Sequence, residues 1–421
     1  MDPISLLRSI GPVDRLPCGD LSRPIQGMAV NTHVHLAPNF SAFASVKQAL
    51  DLARQQGVLV LGAGNYYDYT IYKTFAQAAV EDGVFPLFCT EIIAMQPNLR
   101  DAGIRVNDPA NPGKTYVCGK GITRFDQMTQ KASQILGLIR ANDASRMAKM
   151  VDALTAFFDA HGLKTGLDPD TIIEMISERY SCPQQTVVLQ ERHVALAFQV
   201  RIFELLPPGK RARVLSPVLG IQDQRLEEPL FVQDQIRTRL MKVGRPCFVP
   251  EAYVGLDQAR QLIWELGGID CYPVVADMVP GGCEFEVPAV QLAERLWQMG
   301  FRMVEFISVR NSPEALKEYV ITLRRQGLAV ANGTEHNTTE LIPLRPTCKA
   351  GKDLPAGVES IFWEGACVIA GHQYLVANGK QGFIDGQADT PADLKDAQER
   401  IRYLAGIGRE VISRFFGDYG R

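Results

Sequence analysis

Two histidines at the end of one predicted strand are the residues whose type and spacing point most directly to chemistry. His33 and His35 end the stretch from Gly27 to His35, which begins apolar and becomes polar. Side chains two residues apart leave the same face of a strand. Neutral imidazole is the commonest transition-metal ligand, so this pair can hold one metal ion. The alternative is two ordinary strand histidines, because an H-x-H pair alone is a weak signal.

Other polar side chains follow buried segments elsewhere in the chain. Glu91 lies near the end of a strand predicted from Phe85 to Ile93, and Glu335 and His336 follow a strand that ends at Asn332. In parallel α/β folds the carboxyl ends of the strands carry the chemistry. Imidazoles and carboxylates together suit a divalent transition metal such as Zn, Mn or Fe. The alternatives are a buried ion pair for Glu91 and a solvated loop for the later two residues.

The elements that position these residues alternate as strand and helix. A helix predicted from Ser45 to Gln56 has a serine N-cap and ends at Gly57. Strands and helices alternating at this spacing predict a parallel α/β fold. The rhythm stops in the middle of the chain, where Met and Phe recur at helical spacing and Asp168-Pro169 opens a further helix. We interpret those Met and Phe stripes as core packing.

This pattern predicts four segments in the 421 residues. Residues 1–125 form the N-terminal part of the barrel, 126–245 a mainly helical insertion, 246–345 the C-terminal part of the barrel and 346–421 a C-terminal extension. The extension ends in a long amphipathic helix, Pro391 to Phe416, which packs on the body or forms a homodimer contact.

Composition narrows the expected partners and location. The net charge of −3 gives no electrostatic footprint for nucleic acid, and no run of ~18 apolar residues predicts a membrane span. Nine cysteines occur without a C-x-x-C pair, which favours reduced thiols in the cytoplasm. The N-terminus has no secretory signal pattern. We therefore expect a cytoplasmic protein that acts on a small molecule.

The order of these motifs resembles the PHP (polymerase and histidinol phosphatase) family over roughly residues 28 to 340. That family has an H-x-H strand, a T-D-H strand end, a glutamate strand, a histidine strand, an A-H-P turn and a final D-x-H. The resemblance implies a distorted (β/α)7 TIM-like barrel with up to three metals over phosphate-ester substrates. A helix at 191–195 is also similar to an R-x-H-h-A helix of many members. The corresponding stretches here are His33–His35, Gly62–Asn65, Thr90–Glu91, Thr115–Tyr116, Gly267–Pro273 and Gly333–Asn337.

Departures from the family pattern imply a degenerate metal site. Gly62 to Gly64 replaces the T-D-H motif, tyrosines replace two histidines, and a glutamate begins the last motif. The resemblance then leaves one metal position with a full set of candidate ligands. These are His33, His35, Glu91 and Glu335.

The resemblance implies a phosphoesterase-like hydrolase that uses one divalent metal on a small polar or phosphorylated substrate. Elimination or isomerisation stays open. The alternative is a catalytically degenerate PHP-like domain that binds a ligand or acts as a scaffold, although burying converging imidazoles and carboxylates without a partner is costly. The remaining candidates are Tyr116 and Tyr272 as hydrogen-bond donors or general acids, His336 as a base or ligand, and Arg124, Arg192 and Arg310 as either anion-binding or surface arginines.

Overall fold

The computed structural model describes residues 2–13, 28–277, 283–383 and 396–419, in two compact units. The first unit comprises Met1–Leu36, Phe43–Leu136 and Val254–Arg421, and the second comprises Ala37–Ala42 and Gly137–Tyr253. The strands are β1 (Ala29–Val34), β2 (Val58–Ala63), β3 (Phe85–Met95), β4 (Lys114–Lys120), β5 (Val254–Gly255), β6 (Ile269–Val274), β7 (Met303–Ile307) and β8 (Ala329–Gly333). The α-helices are α1 (Pro3–Ser9), α2 (Val46–Gln55), α3 (Ile71–Asp82), α4 (Pro97–Asp101), α5 (Gln130–Ala160), α6 (Pro169–Tyr180), α7 (Glu191–Leu205), α8 (Arg211–Leu219), α9 (Pro229–Leu240), α10 (Leu256–Glu265), α11 (Ala289–Gln298), α12 (Pro313–Arg325), α13 (Val358–Ala377) and α14 (Ala397–Tyr419).

Seven strands of the first unit form a nearly closed, barrel-shaped sheet in the order β1-β2-β3-β4-β6-β7-β8, which confirms the predicted α/β barrel. The two ends of the sheet approach each other where the backbone N–H of His35 donates to the carbonyl of Glu335 at 2.8 Å. β4 is antiparallel to both β3 and β6, whereas the other barrel neighbours are parallel. The sequence does not predict this reversal, because periodicity identifies a strand but not its direction.

The helix boundaries follow from local capping. Ser45 accepts a hydrogen bond from the backbone N–H of Gln48 at 3.1 Å and begins α2. Asp168 accepts from the N–H of Thr171 at 2.7 Å and begins α6. Such side chains satisfy N–H groups that have no partner within the helix. These caps are the ones that the sequence predicts.

Two packed helices form most of the described C-terminal extension. α13 is apolar on nearly all sides and largely buried, while α14 is amphipathic. The ring of Phe415 on α14 meets the ring of Phe85 edge-on at 5.3 Å, so α14 packs within the barrel unit, as one of the two predicted alternatives requires. The predicted start of this helix at Pro391 lies outside the described residues. No helix in the described ranges is long and apolar enough to cross a membrane.

A glycine allows α13 and α14 to approach closely. A Cβ atom on Gly408 would lie 1.8 Å from the carbonyl oxygen of Cys367. We expect Gly408→Ala to lower the free energy of unfolding by about 1–3 kcal/mol, because backbone atoms must separate to admit the methyl group. Urea denaturation measures this change.

The matched control is Gly417→Ala on the same helix, where an added Cβ meets nothing within 4 Å. That variant should be neutral or gain up to about 1 kcal/mol, since alanine is the better helix former. Equal losses from both substitutions would contradict the close-packing interpretation.

The second unit has a helical core of its own. Side chains of α5, α6, α7, α8 and α9 pack together, among them Met150, Leu154, Phe158 and Phe198. The predicted Met and Phe stripes therefore form core, as the sequence indicates. His193 is also buried there, with its Nδ1 accepting from the N–H of Gln190 at 3.2 Å.

A mostly buried carboxylate links three helices or loops of this unit. Glu191 lies 2.7 Å from a guanidinium nitrogen of Arg146, pairs with Lys242 and lies 3.5 Å from Arg237. Burial raises the pKa of Glu191, but the charges of Lys242 and Arg146 outweigh it and lower the pKa to about 2. Glu191 in the folded protein therefore stays ionised at pH values where the unfolded chain is protonated.

We expect this carboxylate to make stability depend on pH. A depressed folded-state pKa stabilises the fold above the unfolded value of 4.5, and that contribution is lost as the pH falls towards 2. The parent should lose about 2–3 kcal/mol from this group over that range, and Glu191→Gln should lose less. Denaturant titrations between pH 5 and 2.5, followed by far-ultraviolet circular dichroism, measure the slope. Glu204→Gln, on the exposed side of α7, is the control that should keep the parent slope.

Candidate metal centre

The two predicted histidine ligands lie together inside the barrel unit. His33 belongs to β1 and His35 follows its end, and both side chains are buried. Their ring centroids are 5.1 Å apart. The N–H groups of Thr334 and Glu335 donate to the carbonyl of His33 at 3.1 and 2.8 Å, which fixes the backbone between the two imidazoles.

Glu91 on β3 completes a compact group with these imidazoles. Its Oε2 atom lies 3.2 Å from Nε2 of His35 and 3.9 Å from Nε2 of His33. Burial raises the pKa of Glu91, but its close interactions with His35 and His33 outweigh the effect of burial, so the net pKa is lowered. Three of the four predicted ligands therefore converge on one buried point.

A second buried carboxylate orients His33. Nδ1 of His33 lies 2.7 Å from Oε2 of Glu305, in the middle of β7. Because an ionised carboxylate only accepts, Nδ1 carries the proton and Nε2 presents its lone pair. Among the described residues, Nε2 of His33 has no hydrogen-bond partner. A histidine whose other nitrogen donates to a carboxylate is the usual arrangement of a metal ligand.

Lys120 neutralises Glu305 within the barrel. Its ammonium pairs with Oε1 of Glu305 and donates to the carbonyl of Thr32 at 3.2 Å, while the hydroxyl of Thr32 donates to the same carboxylate at 3.0 Å. All three side chains are fully buried. Burial raises the pKa of Glu305, but the charge of Lys120 and the hydrogen bond from His33 lower it to about 2. Burial likewise lowers the pKa of Lys120, and the carboxylate charge more than reverses this.

Cys118 is a further buried group beside the cluster. It lies on β4 directly opposite Glu91, and its Sγ donates to Oε2 of Glu305 at 3.5 Å. Potential ligand atoms of His33, Glu91 and Cys118 all lie within 4.8 Å of one another. The sequence analysis missed Cys118, Lys120 and Glu305. The available signal was charge inside buried strands, since alternate positions of β4 carry a thiol and an amine, and an apolar strand contains Glu305.

Glu335 differs from its predicted role as a ligand. Both carboxylate oxygens of Glu335 accept hydrogen bonds from the guanidinium of Arg310, one of them at 2.9 Å. The side-chain amide of Asn337 also donates to this carboxylate, at 3.0 Å. The φ angles of Glu335 and His336 are +62° and +53°, an uncommon conformation for residues with side chains. This backbone directs the carboxylate to the arginine. The side chain of Arg310 is 35% exposed. Burial lowers its pKa, but the charges of Glu335 and Glu91 outweigh that effect and raise it.

His336 is not placed to act as a base or ligand. Its Nε2 donates to the carbonyl of Ile342 at 2.8 Å, and its Nδ1 lies 2.8 Å from the hydroxyl of Thr334. The ring stacks on Phe43 with centroids 4.7 Å apart. Burial lowers the pKa of His336 to about 4, so the imidazole is neutral at pH 7. Both nitrogens are used in holding the loop, which corrects the prediction.

The two predicted tyrosines face opposite sides of the sheet. Tyr116 shares a face of β4 with Cys118, since they are two residues apart. Tyr272 is next to the inward-facing Cys271 and points outward, where its hydroxyl donates to Glu286 at 2.9 Å. Tyr272 therefore does not meet the other candidates. Successive side chains of a strand point to opposite faces of the sheet, so the register of β6 places Tyr272 on the outer face.

Tyr66 is a tyrosine at the cluster that the sequence analysis did not identify. Its ring stacks on that of His35, with centroids 4.9 Å apart and planes at 19°. Burial and the charge of Glu91, to which its hydroxyl donates, raise its pKa well above the usual value. Tyr66 therefore remains a hydrogen-bond donor at neutral pH. It follows β2 in a loop, and no spacing rule in the sequence links it to His35.

The remaining predicted arginines lie elsewhere. The backbone N–H of Arg124 donates to Leu266 at 2.9 Å, near the amino end of β6 and away from the carboxyl end of β1 that carries the histidines. Arg192 belongs to the second unit, where its guanidinium lies 5.8 Å from the ring centroid of Phe40. Of the three arginines predicted to bind an anion, Arg310 is the one that lies near Glu91.

Two glycines, Gly64 and Gly333, border the imidazole of His33. A Cβ on Gly64 would lie 2.6 Å from Cδ2 of His33, and one on Gly333 would lie 2.4 Å from Cβ of His33. The imidazole of His33 thus fills the space that a side chain at Gly64, directly after β2, would need. A larger residue at Gly64 is therefore incompatible with the present position of His33.

We expect Glu305→Gln to lower the free energy of unfolding by about 3–5 kcal/mol, because it leaves the buried Lys120 ammonium without its counter-ion. The double variant Lys120→Met/Glu305→Gln should recover part of the loss, since no uncompensated charge then remains. Guanidinium denaturation measures both.

Glu284→Gln is the control, because Glu284 forms an ion pair with Arg105 but is 48% exposed. Its loss of stability should be much smaller than that of Glu305→Gln, because solvent screens an exposed ion pair. A double variant as unstable as Glu305→Gln would argue against charge compensation as the cause.

Comparison with known proteins finds the fold among solved structures. No protein-family model and no curated protein sequence matches this chain. A protein from Bifidobacterium adolescentis, provisionally described as a metal-dependent phosphoesterase, aligns with a TM-score of 0.51 and 14% identity over 80% of this chain and 96% of its own. An amidohydrolase from Chromobacterium violaceum, solved with sulfate and without metal, aligns with a TM-score of 0.48 and 16% identity over 76% and 93%. At these identities the likeness concerns the fold alone.

Proposed function

We propose that this protein is a metal-dependent hydrolase of PHP type, with phosphoesterase-like activity on a small polar or phosphorylated substrate. One divalent ion of Zn, Mn or Fe would be held by His33, His35 and Glu91. The observation that carries the proposal is the convergence of these buried side chains around the unpartnered Nε2 of His33, whose Nδ1 is fixed by Glu305.

Charge supports a cation at this point. Glu91 and Glu305 place two carboxylates in the interior, and Lys120 supplies one compensating positive charge. The pair formed by Arg310 and Glu335 is neutral as a whole. Uncompensated buried charge is strongly unfavourable, so a bound cation would relieve an excess of negative charge.

A bound divalent metal would lower the pKa of a water molecule or polarise a substrate oxygen. The chain's own groups would then bind and orient the substrate. Arg310, which is partly exposed and lies by Glu91, would bind an anionic group. The hydroxyls of Tyr66 and Tyr116 would donate hydrogen bonds to it, and Glu305 would keep His33 in its ligating tautomer.

The likeness in fold to the Bifidobacterium protein and the PHP-like order of motifs both support a phosphoesterase-like reaction. A cytoplasmic location, a small-molecule substrate and a homodimer are part of the same proposal. Free, mostly buried cysteines fit a reducing compartment.

Metal content tests the proposal directly. Protein purified without added metal should contain about one equivalent of Zn, Mn or Fe by plasma mass spectrometry, and His33→Ala/His35→Ala should contain none, because neutral imidazoles are the principal ligands. His161→Ala is the matched control, since His161 is exposed in the second unit. It should retain the parent content.

A parent that takes up no metal, even after incubation with each ion, would overturn the proposal and favour the ligand-binding alternative. Two or more equivalents removed by the double variant would contradict the one-metal site. If one equivalent is found, hydrolysis of phosphomonoesters and other small esters by the parent and the double variant would then test the reaction class.

A further inference from the structure

Cys118 carries a buried thiol next to the proposed ligands. The proposed function gives this thiol no role. As the cross-strand partner of Glu91, Cys118 projects from the same face of the sheet. Its sulfur belongs to the group of potential ligand atoms, with His33 and Glu91, that lie within 4.8 Å of one another. Its exposed fraction is 0%, so water does not solvate the thiol.

We propose that Cys118 is a thiolate ligand of the metal and that it makes the site selective for zinc. The inference rests on the proposed function, because it requires a metal at His33 and Glu91. On binding, the S–H bond of Cys118 breaks, its proton passes to solvent, and a metal–sulfur bond forms.

The buried charges favour this ligand. With a divalent ion in place, Glu91 and Glu305 offset only part of the charge contributed by the ion and Lys120 together. One further negative charge brings the interior to neutrality, and the Cys118 thiolate can supply it. The Sγ of Cys118 lies 3.5 Å from Oε2 of Glu305 and 3.9 Å from Nδ1 of His33. Loss of the thiol proton would end the hydrogen bond to Glu305, so the charge of the bound ion must offset the repulsion between the thiolate and that carboxylate.

The donor set then discriminates between metals. The group of His33, Glu91 and Cys118 offers one imidazole, one carboxylate and one thiolate, and His35 is the second imidazole of the proposed function. These donors match the nitrogen and sulfur preference of zinc. Magnesium and manganese prefer oxygen ligands, so a sulfur donor disfavours them. Without Cys118, the remaining imidazoles and carboxylate would accept manganese more readily.

Neighbouring cysteines provide matched controls. Cys271 lies directly opposite Cys118 on β6, and Cys89 lies on β3 with its Sγ 3.7 Å from the carbonyl of Thr32. Both are fully buried, as Cys118 is. In the described part of the chain, the group that could hold a metal includes neither of them.

The test replaces the native metal with cobalt(II) in the full-length protein. Thiolate bound to cobalt gives a near-ultraviolet charge-transfer band, which imidazole and carboxylate do not. We expect the band in the parent and in Cys271→Ser, and its loss in Cys118→Ser, which should still bind one equivalent of cobalt through the remaining ligands. In competition with equal zinc and manganese, the parent should take up zinc, and Cys118→Ser should lose part of that preference.

The parent spectrum decides the question even if a variant fails to fold. One equivalent of bound cobalt without the band would overturn thiolate ligation and leave the proposed metal site intact. A band that persists in folded Cys118→Ser would also overturn it. No cobalt uptake by the parent would overturn the proposed function and this inference together.

Discussion

The buried ion pair between Lys120 and Glu305 is the interaction on which the rest of the site depends. It joins β4 to β7 across the barrel interior, and Thr32 of β1 contributes to both partners. Desolvating two charges is costly, and the pair is tolerated only when each remaining donor and acceptor is satisfied. The three strands must therefore keep their register. Because Glu305 also binds His33, the same requirement fixes the imidazole.

The reversed direction of β4 brings this arrangement together. In an antiparallel pair, residues directly opposite each other share a face, so Cys118 faces the cluster beside Glu91, and Lys120 lies opposite Cys89. The inward face of β4 thus presents a phenol, a thiol and an amine in sequence, from Tyr116 to Lys120. One strand supplies groups to the substrate side, the proposed metal and the ion pair.

Sequence patterns predict the barrel, the capped helices and three of the four proposed ligands, because strand alternation and strand-end position are local properties. Glu335 and His336 do not take the roles predicted for them, because positive φ angles, which spacing does not reveal, redirect both side chains. The role predicted for Tyr272 required its side chain to lie on the inward face of β6, but its hydroxyl bonds to Glu286 on the other side. The sequence also carries little signal for α13, because this helix lacks the amphipathic pattern of surface helices. The Glu305 network comes from pairing between distant strands, and so no local motif carries it.

The packing around His33 also limits how the site can change over evolutionary time. Gly64 and Gly333 border the imidazole so closely that a new side chain at either position overlaps His33 itself. A chain with this arrangement cannot acquire a larger side chain at Gly64 or Gly333 through one substitution alone. It would first have to move an imidazole that Glu305 holds in place. Substitutions of the partly exposed Arg310 and Tyr116 can therefore change this edge of the barrel more easily than the addition of new ligands can.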